Sequence, residues 1–410
     1  MPSRPPFEVG SIGGRRRRVT CLCYPAGVRT SDFDYALPAD RIAQTPVEPR
    51  DDARLLVVDR AGGELEHRRF FELDRLLDPG DLLVANDSRV IPARLHGRKL
   101  ETGGAVEALL LTRSAPGLWQ ALVKGRVHEG TRLAFDPPPA AVGVGTATAA
   151  GGGDAGVITP VEAVVEELLT DGRRLLRFER PVSPLLEVLG AVPLPPYITA
   201  PLDDPERYQT VYSRVAGSVA APTAGLHFTP DLLQRMEERG IGLAFVTLHV
   251  GLDTFRPVTA EDVAEHHMHS EWASVPVETA AAVTAARRAG RRVVAVGTTS
   301  VRALEAAAHA VGRSDVPQPA GGADVSVVGT GPWSPGDKLA PFEGWTDLFI
   351  TPGHAFGAVT AMVTNFHLPR TTLLMLVAAF AGKATMDDAY AAAIRGPYRF
   401  YSFGDAMLIR

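Results

Sequence analysis

The strongest constraint on the fold of this chain is an alternation of helix-like and strand-like segments in its second half. Helical periodicity and capping signals predict helices there, and short β-branched runs predict strands. Strands that alternate with helices in this way are typical of a sheet covered by helices. The predicted order is helix 229–240, strand 241–250, helix 277–290, strand 291–297, helix 298–312 and a nearly fully buried apolar helix at 371–382.

The first of these helices has well-marked ends. Thr229 is a favourable N-cap residue, and Pro230 suits the first helical position, where its missing N–H costs nothing. Gly240 suits the left-handed position that often follows the last turn. These three residues predict a helix that begins after Thr229 and ends before Gly240.

The first half of the chain has a different pattern. Residues 105–180 contain short β-like runs separated by turn residues, which predict a small β-barrel or sandwich. Because single hydrophobic cores stop growing beyond roughly 250–300 residues, a chain of 410 residues is expected to form two domains. The Gly/Ala tract 143–156 predicts a flexible loop. Residues 1–30, which include Arg15–Arg18, predict a disordered extension.

Composition excludes several classes of protein. Cys21 and Cys23 are the only cysteines, so a disulfide framework is excluded and a reducing cytoplasm is expected. No run of 18 apolar residues is long enough to span a membrane, and Pro25 interrupts the short apolar run that could suggest a signal peptide. A net charge of −5 argues against a surface broadly adapted to nucleic acid, although a local basic patch remains possible.

Several well-known motifs do not occur. The sequence "AVGTTS" is not a Gly-rich dinucleotide loop, and neither a phosphate loop nor a G-x-S-x-G nucleophile elbow is found. The segment "EHHMHSE" (265–271) brings His266, His267 and His269 close enough to suggest zinc. No H-E-x-x-H or cysteine pair accompanies them, so a polar loop that faces a substrate is the favoured interpretation.

Polar side chains follow the ends of several predicted strands. His249 ends one strand, Gly297–Ser300 follow another, and Asn365 and His367 follow a third; His227 lies two residues before a helix N-cap. In open α/β sheets, ligands bind beyond the carboxyl ends of the strands, and helix N-termini there offer free N–H donors. A single histidine at such a place is more often structural, but together these residues predict one pocket.

Eight longer motifs occur in order from about Asp34 onwards, and together they resemble the S-adenosylmethionine:tRNA ribosyltransferase-isomerase family of queuosine biosynthesis. They are "RIAQTPVEPRDDARLLVVDR" (41–60), "NDSRVIPARLHG" (86–97), "LEVLGAVPLPPYI" (186–198), "ERYQTVYSRVAGSVAAPTAGLHFT" (206–229), "VTLHVGLDTFRPV" (246–258), "AVGTTSVRALE" (295–305), "TNFHLPRTTLLMLVAAFAG" (364–382) and "YRFYSFGDAMLI" (398–409).

The resemblance implies a fold and a reaction. The fold is an α/β main domain, here 31–95 and 185–410, with a smaller β-barrel domain, 96–184, inserted in it. The family moves the ribosyl part of S-adenosylmethionine onto 7-aminomethyl-7-deazaguanine in tRNA and rearranges it to give epoxyqueuosine, with loss of adenine and methionine. S-adenosylmethionine is a co-substrate, no metal is expected, and a cytoplasmic monomer or homodimer with no membrane partner is expected.

This chemistry needs proton carriers, because a proton must leave the 5′ carbon beside the sulfonium and adenine must be protonated as it departs. Imidazoles with a pKa near neutrality suit both steps. The expected catalytic residues are His227, His249, His269 and His367. The expected substrate-binding residues are Asn86, Arg89, Tyr208, Thr223, Ala224, Gly225, Asp253, Glu271, Thr298, Thr299, Ser300, Arg302 and Asn365.

The chain also differs from the family pattern at several positions. Leu252 and Asp253 replace a usual Ala-Gly, His354 replaces a usual tyrosine, and Thr360 stands where an aspartate is common. These changes leave open a second hypothesis, in which the same chemistry acts on a free small molecule or another nucleoside. A non-catalytic RNA-binding protein is disfavoured, because no basic stripe with interleaved aromatic residues is visible.

Basic residues occur in clusters that tRNA could use. A charge run is more often a solvated face than a tRNA footprint, but if the chain acts on tRNA, at least one cluster is expected to lie beside the pocket. The clusters are Arg94, Arg98 and Lys99, then Arg173, Arg174 and Arg177, then Arg287, Arg288, Arg291 and Arg292.

Overall fold

The computed structural model describes residues 27–137, 160–169, 172–251, 257–311 and 338–410. The predicted loop 143–156 and residues 1–26 of the predicted extension lie outside this part of the chain. Residues 27–30 of that extension belong to the folded body instead. Thr30 is buried, and its Oγ1 donates a hydrogen bond of 2.7 Å to the carbonyl oxygen of Ala260. The main domain therefore begins before the predicted boundary at residue 31.

The largest sheet has nine strands and forms the centre of the main domain. Its four central strands, in the spatial order β13, β3, β15 and β17, run parallel to one another. Such strands need crossover connections, which helices supply here. The strands are β1 (Arg54–Val58), β2 (Leu65–Arg69), β3 (Leu82–Asn86), β13 (Gly242–Leu248), β14 (Glu271–Val275), β15 (Val293–Val296), β16 (Phe342–Thr346), β17 (Ala361–Asn365) and β18 (Ala406–Ile409).

Helices cover both faces of this sheet, because its central strands are apolar on both sides. Alternate residues of β3 show the division: Val84 packs with the cluster that includes α4 to α7, and Leu83 packs with α1 and α3. The helices on this sheet are α1 (Leu73–Leu76), α3 (Pro230–Glu238), α4 (Val277–Arg288), α5 (Thr298–Val311), α6 (Thr372–Ala381) and α7 (Lys383–Arg395), whereas α2 (Leu186–Leu189) packs in the core of the barrel. This layered α/β arrangement confirms the predicted fold class.

The second domain is a closed antiparallel barrel of six strands with its own apolar core. Closure is completed by pairing between its first and fourth strands, in the register Gly97↔Phe135. Its strands are β5 (Arg94–Lys99), β6 (Ala105–Ala115), β7 (Leu118–Lys124), β8 (Arg132–Phe135), β9 (Val161–Leu168) and β10 (Arg174–Phe178). The structure thus selects the barrel over the sandwich, as the resemblance implied.

Short strands connect the two domains. β4 (Ser88–Val90) pairs in parallel with β12 (Val215–Ser218), and β11 (Gly190–Ala191) pairs with β5.

Local signals predicted the helices well: the side chain of Thr229 caps α3 by accepting a hydrogen bond of 3.2 Å from the backbone N–H of Leu232. No helix among the described residues is both long and apolar enough to cross a membrane.

Candidate active site

The carboxyl ends of the four central parallel strands meet at one edge of the main sheet, but the side chains predicted to share one pocket line three separate cavities. His249 follows β13, Gly297 follows β15, and Phe366 follows the last residue of β17, Asn365. The N-terminus of α5 begins directly after Gly297. This edge therefore combines side chains with the free N–H groups of a helix end, which attract anionic ligand groups.

A first cavity, which we call the strand-end cleft, opens at this edge. Its lining includes six of the predicted site residues together with two tyrosines. They are Thr223, Ala224, Thr298, Thr299, Asn365 and His367, with Tyr197 and Tyr401. Ala221 and Pro222 complete one small-residue wall, which leaves room for a flat ligand to lie against the backbone.

A chain of hydrogen bonds orders the polar side chains at the bottom of the strand-end cleft. Thr223 Oγ1 donates to Asn365 Oδ1 over 3.4 Å, and Asn365 Nδ2 donates to the carbonyl oxygen of Tyr401 over 3.0 Å. The same amide nitrogen lies 3.3 Å from His227 Nε2, which accepts from it. His227 therefore carries its proton on Nδ1 in this arrangement.

Two hydroxyl groups of the strand-end cleft are buried without a hydrogen-bond partner among the described residues. They are Thr299 Oγ1, in the first turn of α5, and Tyr401 Oη. Tyr401 also has a positive φ of 75°, a conformation that non-glycine residues rarely adopt away from functional sites. Buried polar groups normally have partners, so both hydroxyls are available to a bound ligand.

Burial makes two of the predicted proton carriers poor bases in the free protein. Desolvation, together with the smaller effect of the nearby charge of Arg399, lowers the pKa of His227 to about 3. Desolvation also lowers the pKa of His367 to about 3, and its Nε2 lies 2.8 Å from Thr364 Oγ1. The expectation of near-neutral pKa values is wrong for these two histidines, which are uncharged at physiological pH.

His227 also lies apart from the strand-end cleft. It lines a smaller cavity with three arginines, Arg50, Arg207 and Arg399, and its ring packs on Phe70 with centroids 4.9 Å apart. Ser402 lines both cavities, so His227 reaches the strand-end cleft only indirectly, through the amide of Asn365.

A second and larger cavity, which we call the barrel cleft, lies between the two domains and has a volume of about 510 Å³. The barrel contributes Arg113, Trp119 and Arg173, whereas the main domain contributes His249, His269, Glu271, Trp272 and Trp345. Val250 lines both the barrel cleft and the strand-end cleft, so the two cavities adjoin at the end of β13.

His249 is the imidazole best placed at this junction. Its ring stacks on Trp272 with centroids 5.3 Å apart and an interplanar angle of 20°. Its Nδ1 is buried without a hydrogen-bond partner among the described residues. Desolvation lowers the pKa of His249, and the carboxylate of Asp87 opposes that shift. His249 is therefore largely neutral at pH 7, with an uncommitted ring nitrogen.

Glu271 lines the barrel cleft but is already engaged by the protein. It forms a buried ion pair with Arg302, and the two side chains are 5% and 3% exposed. Glu271 Oε1 also accepts a hydrogen bond of 2.8 Å from the backbone N–H of Gly251. The pair fixes the end of β13 to β14 and α5, so Glu271 and Arg302 position the cleft wall.

A model of the family described as "Queuosine biosynthesis protein" matches residues 30–409. This chain belongs to that family. An S-adenosylmethionine:tRNA ribosyltransferase-isomerase of Moorella thermoacetica is 49% identical over 387 residues, covering 93% of this chain and 100% of the relative. The protein of the same description from Symbiobacterium thermophilum is 49% identical over 386 residues, with the same coverage. A crystal structure of an S-adenosylmethionine tRNA ribosyltransferase from Thermotoga maritima is 38% identical, covers 93% of this chain and 100% of its own, and has a TM-score of 0.48.

Six of the expected substrate-binding residues line neither cleft in this member of the queuosine biosynthesis family, and one of the six is Arg302, the ion-pair partner of Glu271. Asn86 is fully buried and joins the ends of β3 and β13 by bonding both backbone groups of Leu248. Tyr208 is a core residue, and Ser300 Oγ bonds the carbonyl oxygen of Val296. Arg89 pairs with Glu206, and Gly225 lies against Tyr212. These six residues support the fold.

Other residues that the sequence singled out lie outside the two clefts or outside the described part of the chain. Leu252 and Asp253 lie outside the described residues. His266 and His267 line neither cleft, and within the described residues they form no metal-ligand cluster; His269 reaches the barrel cleft. Sequence reasoning missed Tyr197 and Tyr401, although both lie in motifs that carry the family resemblance.

The small residues ahead of His227 have a packing reason. Gly217 has a φ of +151°, and a Cβ there would lie 2.7 Å from His249 Nε2. We expect Gly217→Ala to displace the imidazole and lower turnover at least tenfold, since strain of about 1–3 kcal/mol accompanies such backbone positions. Turnover and thermal stability should be measured together. Gly130→Ala, at φ +83° with open space around it, is the matched control for strain alone. Equal losses in both variants would contradict a role for the contact with His249.

The buried histidines predict a loss of stability in acid. The ordinary pKa of histidine is 6.5, whereas the pKa of native His227 and His367 is about 3. Between these two pH values, the unfolded state therefore binds protons that the native state does not. The contribution of each histidine to the free energy of unfolding is therefore fully present above pH 6.5. It falls by about 1.4 kcal/mol for each pH unit as the pH is lowered. We expect urea unfolding at pH 7 and pH 5 to show this fall, and His367→Gln to reduce it by one group's share. An identical pH dependence in the variant would refute the assignment to His367.

Proposed function

We propose that this protein is an S-adenosylmethionine:tRNA ribosyltransferase-isomerase. It transfers the ribosyl part of S-adenosylmethionine to 7-aminomethyl-7-deazaguanine in tRNA, rearranges it to give epoxyqueuosine, and releases adenine and methionine. The observation that carries the proposal is the match along the whole length of relatives with this description. The two adjoining clefts supply one place for each substrate.

We assign S-adenosylmethionine to the strand-end cleft because of the chemistry of its lining. The N–H groups at the start of α5, around Thr298 and Thr299, suit the methionine carboxylate. The wall of small residues that includes Ala224 suits the flat adenine. Uncharged His367 and the hydroxyl of Thr299 offer neutral hydrogen-bonding groups, which do not repel the sulfonium cation.

The nucleobase of tRNA fits the barrel cleft. Trp345 is 53% exposed at its rim, and aromatic faces such as Trp272 and Trp345 bind unstacked bases without regard to sequence. Arg113 and Arg173 on the barrel side carry the positive charge that phosphates require. Of the three basic clusters in the sequence, the one containing Arg173 thus lies beside the candidate site.

We assign proton transfer to His249, because it lies where the two clefts meet and its Nδ1 has no hydrogen-bond partner among the described residues. As a neutral imidazole it can take the proton from the 5′ carbon or from the attacking ammonium group. His269, at the wall of the same cleft, is the second candidate. His227 acts through Asn365 and is a positioning residue. The reaction needs no metal, and we place it in the cytoplasm; a monomer or homodimer remains the expected assembly.

The proposal is tested with purified protein, S-adenosylmethionine and tRNA carrying 7-aminomethyl-7-deazaguanine. Adenine and methionine release should match, mole for mole, the mass gain of one rearranged ribosyl unit on the nucleoside. Unmodified tRNA is the control for the acceptor. Binding of S-adenosylmethionine without transfer to tRNA would overturn the tRNA assignment, and transfer to the free base would favour a small-molecule acceptor.

The barrel arginines give a separate prediction for tRNA binding. We expect Arg113→Ala and Arg173→Ala each to weaken binding and to lower the slope of log affinity against log salt by about 1. Arg288→Ala on α4, outside the lining of either cleft, is the control. Affinities measured at several salt concentrations decide the matter. A slope equal to that of the wild type in both barrel variants would remove the barrel cleft as the tRNA interface.

A further inference from the structure

A cluster of potential metal ligands lies away from both clefts, on the C-terminal half of α5 and the loop before β17. Glu305 and His309 are one turn apart on α5, and His354 reaches them from the loop. One ligand atom from each residue lies within 4.8 Å of the other two. A carboxylate and two imidazoles form a donor set that suits Zn²⁺ and related divalent cations.

The carboxylate of Glu305 is fixed before any ion binds. Its side chain is fully buried, and the backbone N–H groups of Gly357, Ala358 and Val359 donate to its oxygens over 2.8–3.1 Å. Within the described residues, the only side chain at ion-pair distance from Glu305 is His354. Buried charges are normally paired or bind metals, so this negative charge calls for a cationic partner.

The imidazole of His309 is also held in the form that binds metal. Its Nδ1 lies 2.6 Å from the backbone carbonyl oxygen of Glu305 and donates its proton there, which leaves Nε2 as the lone-pair nitrogen. Metal-binding histidines are typically oriented by such a bond from the other ring nitrogen. The ring of His309 lies 5.1 Å from that of His354, centroid to centroid.

His354 completes the set with a nitrogen that lacks a hydrogen bond. Its Nε2 is buried without a hydrogen-bond partner in the described part of the chain, although Glu305 Oε2 is 3.5 Å away. That distance exceeds the usual 2.7–3.2 Å of a hydrogen bond. It is close to the roughly 3.3 Å that separates two ligands held about 2.0–2.1 Å from a tetrahedral Zn²⁺.

We propose that Glu305, His309 and His354 supply three of the four ligands of a divalent transition-metal ion, Zn²⁺ in the first place, with water as the fourth ligand. The ion connects α5, whose N-terminus borders the strand-end cleft, with the loop that leads into β17. It lies two to three helical turns from Thr298, too far along α5 to contact a ligand in that cleft. The proposal is therefore independent of the reaction and of the acceptor.

The test uses the full chain without an affinity tag, stripped with a chelator and dialysed against Zn²⁺. We expect one tightly bound zinc per chain by elemental analysis and a melting temperature that rises with zinc concentration. We expect His354→Ala and His309→Ala each to weaken this binding by at least about 100-fold, since even the loss of outer-shell partners costs 10–100-fold. Co²⁺ in place of Zn²⁺ should give tetrahedral absorption bands in the wild type and not in either variant.

Two controls locate the ion. Cys21→Ser tests the N-terminal cysteines, and His267→Ala tests the histidine-rich segment 265–271; both variants should bind zinc as the wild type does. Equal melting temperatures of the metal-free His354→Ala and wild-type proteins would show that the variant folds. Zinc binding that survives in His354→Ala and His309→Ala, or its absence from the wild type, would overturn the proposal.

Discussion

Replacing His249 by alanine is expected to lower kcat about 10²–10⁴-fold, the usual contribution of a general acid or base. The imidazole lies where the strand-end and barrel clefts adjoin, and its Nδ1 is not used by the protein among the described residues. The side chain is only partly buried, so its removal should leave the fold intact. Release of adenine under saturating S-adenosylmethionine and tRNA measures the effect.

The pH profile separates proton transfer from simple positioning. Because burial lowers the pKa of His249 below 6.5, kcat/KM of the wild type should rise with pH to a plateau, with its midpoint below 6.5. The rise of kcat/KM with pH should be absent from His249→Gln. The control variant His96→Ala, at an exposed position on β5, should retain it. If His249→Ala keeps full turnover and His269→Ala does not, the proton carrier is His269 instead.

Replacing Arg302 by methionine is expected to lower the free energy of unfolding by about 3–5 kcal/mol. The substitution would remove the guanidinium of Arg302 from the buried carboxylate of Glu271, and breaking a buried pair from one side costs this much. Both side chains are at most 5% exposed, so solvent screens the interaction little. Urea unfolding of the main domain at pH 7 gives the measurement.

A double-mutant cycle identifies the cause. Glu271→Gln alone should also destabilise the main domain, because it leaves Arg302 unpaired. The double variant Arg302→Met with Glu271→Gln should recover part of the loss, since neither charge then remains buried. A loss below about 1 kcal/mol in both single variants would be typical of an exposed pair and would contradict the structure.

The layered fold was predictable because its signals are local. The caps of α3 and the apolar run of α6 are properties of a few neighbouring residues, and both helices occur where expected. Barrel closure was not predictable from the residues alone, because pairing of β5 with β8 joins segments distant in sequence. Local signals did not predict β16 either, because its pairing with β14 is also long-range.

The candidate site was predictable only at the level of the sheet edge. Period and capping signals place His249, Thr298 and Asn365 at strand ends, but they do not show the direction of a side chain. His227 illustrates the limit: two residues before the N-cap of α3, it lies in a 3-10 turn and faces Phe70 and three arginines. Its low pKa results from burial, which no local pattern reveals.

The position of β18 has a consequence for how the protein is made. The ribosome delivers Ala406–Ile409 after every other described strand, yet this strand separates β17 from β1. The edge of β1 that β18 occupies in the folded protein therefore stays unpaired while hundreds of residues are synthesised at about 5–20 per second. The barrel can close much earlier, because all of its strands lie between residues 94 and 178. For roughly tens of seconds, the nascent chain therefore contains a closed barrel and an incomplete main sheet. Chaperones that shield strand edges would act in that interval.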